Sequence, residues 1–160
     1  MYFYRYVIIT ASFFGSGEGK ALEQPIFFNL DAYVLLNPYA QSELYGQCTW
    51  FAWGRFYELF GYSPDFTGDV WHCVEQLVAA HPDQWELSNT PTDLCVFSGI
   101  GFNHVGIVLY YQNGILTIQH ENIDGETNTF EEATKDWCEI QITLEDLQTK
   151  YSSVVFAIPR

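Results

Sequence analysis

The chain has 160 residues, 48% hydrophobic and 18% aromatic, which is one domain's length with enough apolar material to bury a full core. Its formal net charge is −14, with only six Lys and Arg. That balance excludes nucleic acid as a partner, because phosphate neutralisation needs cationic side chains, and it disfavours charge-driven attachment to anionic membranes or wall polymers.

Residues 1–14 are apolar and aromatic, with Arg5 near their start. The run is too short for a convincing secretory leader, no small-residue cleavage site follows it, and nothing in the chain approaches the ~18 apolar residues that span a bilayer. It reads as an N-terminal strand or arm, then a Gly-rich loop at residues 15–20. Residues 1–30 are therefore expected to pack as an arm on a single domain of residues 31–160. Residues 31–36 suit a short helix capped by Asn29 or Asp31. Asn37-Pro38 and Gly46 are turn signals, and from Cys48 a broad apolar band (Trp50, Phe51, Trp53, Phe56, Tyr57, Leu59, Phe60) predicts a helix that Gly61 stops.

A second helix is expected from a cap at Asp69 to Pro82. Strands are expected at residues 85–87, 94–98, 104–111, 115–122 and 153–158, with another near 138–142. Asn113-Gly114, between the third and fourth, is the strongest short hairpin signal. Residues 143–147 look like a short capped helix. Residues 124–136 are polar and acidic, have no assigned element, and form a candidate substrate loop. Helices first and strands afterwards give an α+β layer pattern instead of alternating βαβ units.

Cys48 stands where a turn becomes a helix, so unpaired backbone N–H groups and the helix dipole are expected to favour its thiolate, the nucleophilic form. His104 opens a buried strand, and Asn122 closes the partner strand. A thiol nucleophile, an imidazole to carry its proton, and an amide or carboxylate to set the ring's tautomer are the parts of papain-type acyl transfer.

Tyr45-Gly46-Gln47-Cys48-Thr49-Trp50, Asn103-His104-Val105-Gly106-Ile107-Val108 and the closing Asn122 resemble the cysteine, histidine-dependent amidohydrolase/peptidase (CHAP) family. The resemblance runs over residues 37–160. It implies a papain-like α+β fold, N-terminal helices packed on an antiparallel sheet, and an enzyme that cuts amide bonds in bacterial peptidoglycan or its stem peptides. It implies Cys48 as nucleophile, held as a thiolate by His104, with the Cys48 N–H and Gln47 stabilising the oxyanion. The family often places a calcium-binding acidic loop before its cysteine. Gln41, Ser42 and Glu43 are too poor in oxygen ligands for that, so neither metal nor cofactor is expected.

The family's usual Glu-x-Asn ending falls on His120-Glu121-Asn122, and Asn103 replaces the usual Gly before the histidine. A two-residue hairpin loop would put Glu121 on the His104 face; a three-residue loop with a bulge would put His120 there. The reading favours Asn122 as the third catalytic residue, with Glu121 as second choice and Asn103 and His120 lining the site. Cys73, Cys95 and Cys138 show no metal or disulfide spacing and read as buried free thiols.

The family context points to a phage lysin or an interbacterial toxin, the latter with an immunity protein. The protein would be made in the cytoplasm, act on the wall after lysis or specialised secretion, and be a monomer by default. Two alternatives stand beside this: an amidase on a non-wall amide such as glutathionylspermidine, and an inactive scaffold serving as a binding module.

Overall fold

The computed structural model describes residues 25–122, 126 and 128–160. The expected N-terminal strand and Gly-rich loop lie outside the described residues. Six strands form one antiparallel sheet in the order β1-β6-β2-β3-β4-β5: β1 (Trp85–Ser88), β2 (Cys95–Ile100), β3 (His104–Gln112), β4 (Ile115–His120), β5 (Cys138–Thr143) and β6 (Ser153–Pro159). The helices are α1 (Pro38–Gln41), α2 (Cys48–Phe60), α3 (Val70–Ala80), α4 (Phe130–Asp136) and α5 (Leu144–Lys150). This is the α+β arrangement expected from the order of signals.

Alternation along the strands divides the core into two layers. One face carries Val96, Val105 and Ile107, which pack with α2 and α3. The other carries Cys95, Phe97, Val108, Leu116 and Ile118, which pack with Leu147 of α5 and Tyr151. Helix α2 is buried along its first nine residues, Cys48 to Phe56, because it has neighbours on every side. The sheet lies beneath it, Tyr33 of a five-residue π-helical turn (Asp31–Leu35) lies against Trp50, and Phe130 and Trp137 cover the rest. Each such large apolar side chain contributes about 1.5–3 kcal/mol by burial.

Capping sets the ends. Asn37 accepts from Tyr39 N to start α1, with Pro38 at the first helical position, and its amide reaches the Trp50 carbonyl, tying α1 to α2. Gly61 closes α2 at φ +77°, a left-handed conformation that glycine adopts without a Cβ penalty. Asp69 does occupy the cap position of α3, but its side chain makes no capping hydrogen bond. Helix α4 lies in the stretch given no element from sequence. Its start is a reciprocal capping box: Thr129 Oγ1 accepts from Glu132 N while Glu132 accepts from Thr129 N. No helix among the described residues is long and apolar enough to cross a membrane.

Candidate active site

Cys48 is the first residue of α2, behind Gln47 in extended conformation, and is only 5% exposed. The backbone at Val105, the residue after His104, and at Thr49 and Cys48 itself acts on its sulfur in the direction of the thiolate. The thiol therefore meets the sheet at the first peptide of β3. These influences agree with the helix-start argument, but burial is the larger one and drives the thiol pKa up. Burial therefore works against the resting thiolate expected from the helix start. No hydrogen bond joins its sulfur to His104 among the described residues.

His104 opens β3. Asn103 before it has φ +43°, in the left-handed region that Asn tolerates better than most residues, which accounts for Asn where Gly is usual. Asn103 is exposed, in the turn that leads into His104.

Strand register decides what His104 meets. Asn113 and Gly114, both with positive φ, form a two-residue loop that pairs Gln112 with Ile115. Between Val108 and Tyr110 the register shifts by one residue, so that Val108 pairs with Ile118 and Ile107 with Gln119. The bulge, placed inside the strand instead of at the loop, turns His120 to the His104 face and Glu121 to the other.

His104 Nε2 lies 2.9 Å from His120 Nδ1, with the rings edge to face at 4.9 Å between centroids. His120 Nε2 in turn lies 3.1 Å from Cys138 Sγ, across the His120–Cys138 pair of β4 and β5. No hydrogen bond is made by His104 Nδ1 among the described residues. Nor does any hydrogen bond among the described residues join Asn122, favoured from sequence as the partner of this ring, to His104. The chain turns at Asn122 (φ +69°), and its Nδ2 donates to Gln47 Oε1 at 2.8 Å. Gln47 Nε2 also donates to the Glu126 carbonyl at 3.2 Å, so the residue before Cys48 is braced from two sides. Glu121, the second choice, is fully buried, and its charge helps raise the pKa of Cys48 and Cys138.

Cys138 is the member of this cluster that sequence reasoning missed. Its spacing from Ile140 and Ile142 assigns it to the same sheet face, but nothing local shows that His120 stands opposite. Among the described residues, no group of three His, Cys, Asp or Glu is arranged to hold a metal.

Burial lowers the pKa of His104 to about 3, with a further push from His120, and that of His120 to about 4; Lys150 lowers both. Both rings are neutral at pH 7. The unfolded chain binds protons at the ordinary His pKa near 6.5 while the folded pair refuses them until about pH 4 and 3, so stability falls as pH falls through that window. Urea unfolding is expected to show a loss approaching about 1.4 kcal/mol per pH unit for each His below pH 6. Equal stability at pH 7 and pH 5 would contradict the shifts.

A cysteine at the start of the helix laid on the sheet, with a histidine opening the strand it touches, defines a papain-like cysteine hydrolase architecture. The chain belongs to the CHAP domain family, whose model matches residues 37–122, more than half of its length. Its fold is similar to that of the N-acetylmuramoyl-L-alanine amidase from Staphylococcus aureus: TM-score 0.51, 19% identity, covering 72% of this chain and 31% of that one. Ly7917 superposes with TM-score 0.48 at 16% identity, covering 81% of this chain and 59% of that one. Ly7917 with the hydrolyzing product of MDP gives TM-score 0.48 at 15% identity, covering 71% and 53%. The chain thus spans under a third of the amidase and somewhat over half of Ly7917. No curated protein matches it.

Proposed function

We propose that the protein is a peptidoglycan hydrolase, an amidase or endopeptidase, that cuts an amide bond with Cys48 as nucleophile and His104 as base. The observation that supports this best is Cys48 at the start of α2, next to the β3 backbone that His104 opens, in a chain of the CHAP family. The name of the Staphylococcus aureus amidase favours the wall as substrate.

In this reading the Cys48 S–H proton passes to His104 Nδ1, and the sulfur attacks the amide carbonyl carbon. The carbonyl π electrons move to oxygen, where the Cys48 N–H at the helix start stabilises the oxyanion and the Gln47 amide braces the adjoining backbone. The oxyanion collapses, the C–N bond breaks, and His104 gives its proton to the leaving amine. His104 then takes a proton from water, whose oxygen attacks the thioester carbon; the C–S bond breaks, releasing the carboxyl product, and Cys48 regains its proton. His120, in place of the expected Asn122, orients the base.

Digestion of purified peptidoglycan, with products identified by mass spectrometry, tests this. New fragments ending in a free amine and a free carboxyl are expected and would name the bond. Intact peptidoglycan of several wall chemistries would overturn the substrate.

A further inference from the structure

Two imidazoles and a thiol in a row transmit more than position, because a neutral imidazole donates through one nitrogen and accepts through the other. In the row Cys138 Sγ, His120 Nε2/Nδ1, His104 Nε2/Nδ1, the role of the sulfur sets every later role. If Cys138 donates S–H to His120 Nε2, His120 must carry its proton on Nδ1 and give it to His104 Nε2. His104 is then protonated on Nδ1, the one nitrogen a nucleophile needs bare. If Cys138 accepts, both rings carry their proton on Nε2, and His104 Nδ1 keeps its lone pair.

We propose that Cys138 is a positioning residue: its sulfur accepts from His120 Nε2–H and so fixes both rings in the tautomer that leaves His104 Nδ1 free to take the Cys48 proton. The inference rests on the Cys48–His104 reading above and extends it by one residue on a different strand. When the proton moves, the S–H electron pair stays on Cys48 and His104 becomes an imidazolium. The new positive charge spreads along the row: His104 Nε2–H donates to His120 Nδ1, and His120 Nε2–H donates to the Cys138 sulfur.

The surroundings suit an accepting sulfur. Cys138 lies directly opposite His120 in the β4–β5 ladder, so backbone pairing holds the 3.1 Å approach without a flexible arm. Gly106, between His104 and Val108 on this face, leaves the Phe97 ring the space a Cβ would take, and that ring packs beside His104. The charged groups that act on the row are Glu121 from the end of β4 and Lys150 from α5.

The test reads tautomers directly. Nitrogen-15 NMR of the two rings in the full chain at pH 7 is expected to show both protonated on Nε2. In Cys138→Ala that preference is lost, kcat on peptidoglycan falls about tenfold or more with KM within about twofold, and the acid limb of the pH profile moves. Cys138→Asp, whose carboxylate only accepts, is expected to restore the tautomer and most of kcat. Rings protonated on Nδ1 in the wild type, or tautomers and pH profile unchanged in both variants, would overturn the proposal. NMR needs no substrate, so these outcomes stand apart from the functional reading: Nε2 tautomers in a protein that leaves peptidoglycan intact would overturn that reading alone.

Discussion

Cys48→Ala is expected to reduce turnover of peptidoglycan by about 10⁴-fold or more while the protein stays folded. The magnitude follows from losing the atom that forms the covalent intermediate, since members of such a unit fail together and removal of the nucleophile alone forfeits nearly all of their joint effect. The fold survives because the change removes one buried sulfur at the helix start and leaves the aromatic packing of Trp50, Phe51 and Phe56 in place. Circular dichroism and urea midpoints close to wild type, beside absent turnover, are the expected pair of results. Retained turnover in a folded Cys48→Ala protein would remove the nucleophile from the account.

His120→Ala is expected to cost about 10²–10⁴-fold in kcat, and more than Asn122→Ala. Loss of His120 leaves His104 Nε2 without the group 2.9 Å away that fixes its ring, and a base in the wrong tautomer or rotamer cannot take the thiol proton. Asn122→Ala loosens Gln47 and the backbone entering α2, which weakens oxyanion binding without freeing the base. His120→Glu, which supplies an acceptor where the family usually has a glutamate, is expected to retain more activity than His120→Ala. Kinetics of the three variants on one muropeptide check the order. A larger loss in Asn122→Ala would return the third place to the residue favoured from sequence.

The neutral thiol and neutral imidazole carry their own consequence. Burial raises one pKa and lowers the other, so both shifts favour the neutral pair over the ion pair expected from a cysteine at a helix start. On the proposed mechanism, charge separation is favoured chiefly when a substrate carbonyl lies at the oxyanion donors, where the new charge has somewhere to go.

Most of the scaffold was legible in the sequence because its signals are local. Gly46 and Gly61 bracket α2, Asn113-Gly114 marks the hairpin, and alternating apolar residues mark the central strands. Cys48 and His104 stood out for the same reason, each at the boundary of a strongly patterned element. What stayed hidden depends on pairing at a distance. The bulge between Val108 and Tyr110 lies in a run of apolar and aromatic residues with no glycine or proline to announce it, yet it decides that His120 and not Glu121 shares the His104 face. Cys138 becomes a neighbour of His120 only when β5 returns along β4, after the intervening loop and α4. Helix α4 did carry a readable sign, Thr129 with Glu132 three residues on, but the acidity of the surrounding stretch obscured it.

The covalent step can be observed directly. Acid-quenched mixtures of protein and muropeptide, analysed by intact mass and then by peptide mapping, are expected to contain a fraction of chain heavier by the acyl half of the substrate, with the adduct on Cys48 and absent from Cys48→Ala. Cleaved muropeptide with no adduct on any cysteine, or an adduct mapped to Cys138, would contradict a Cys48 acyl-enzyme and with it the account of this site.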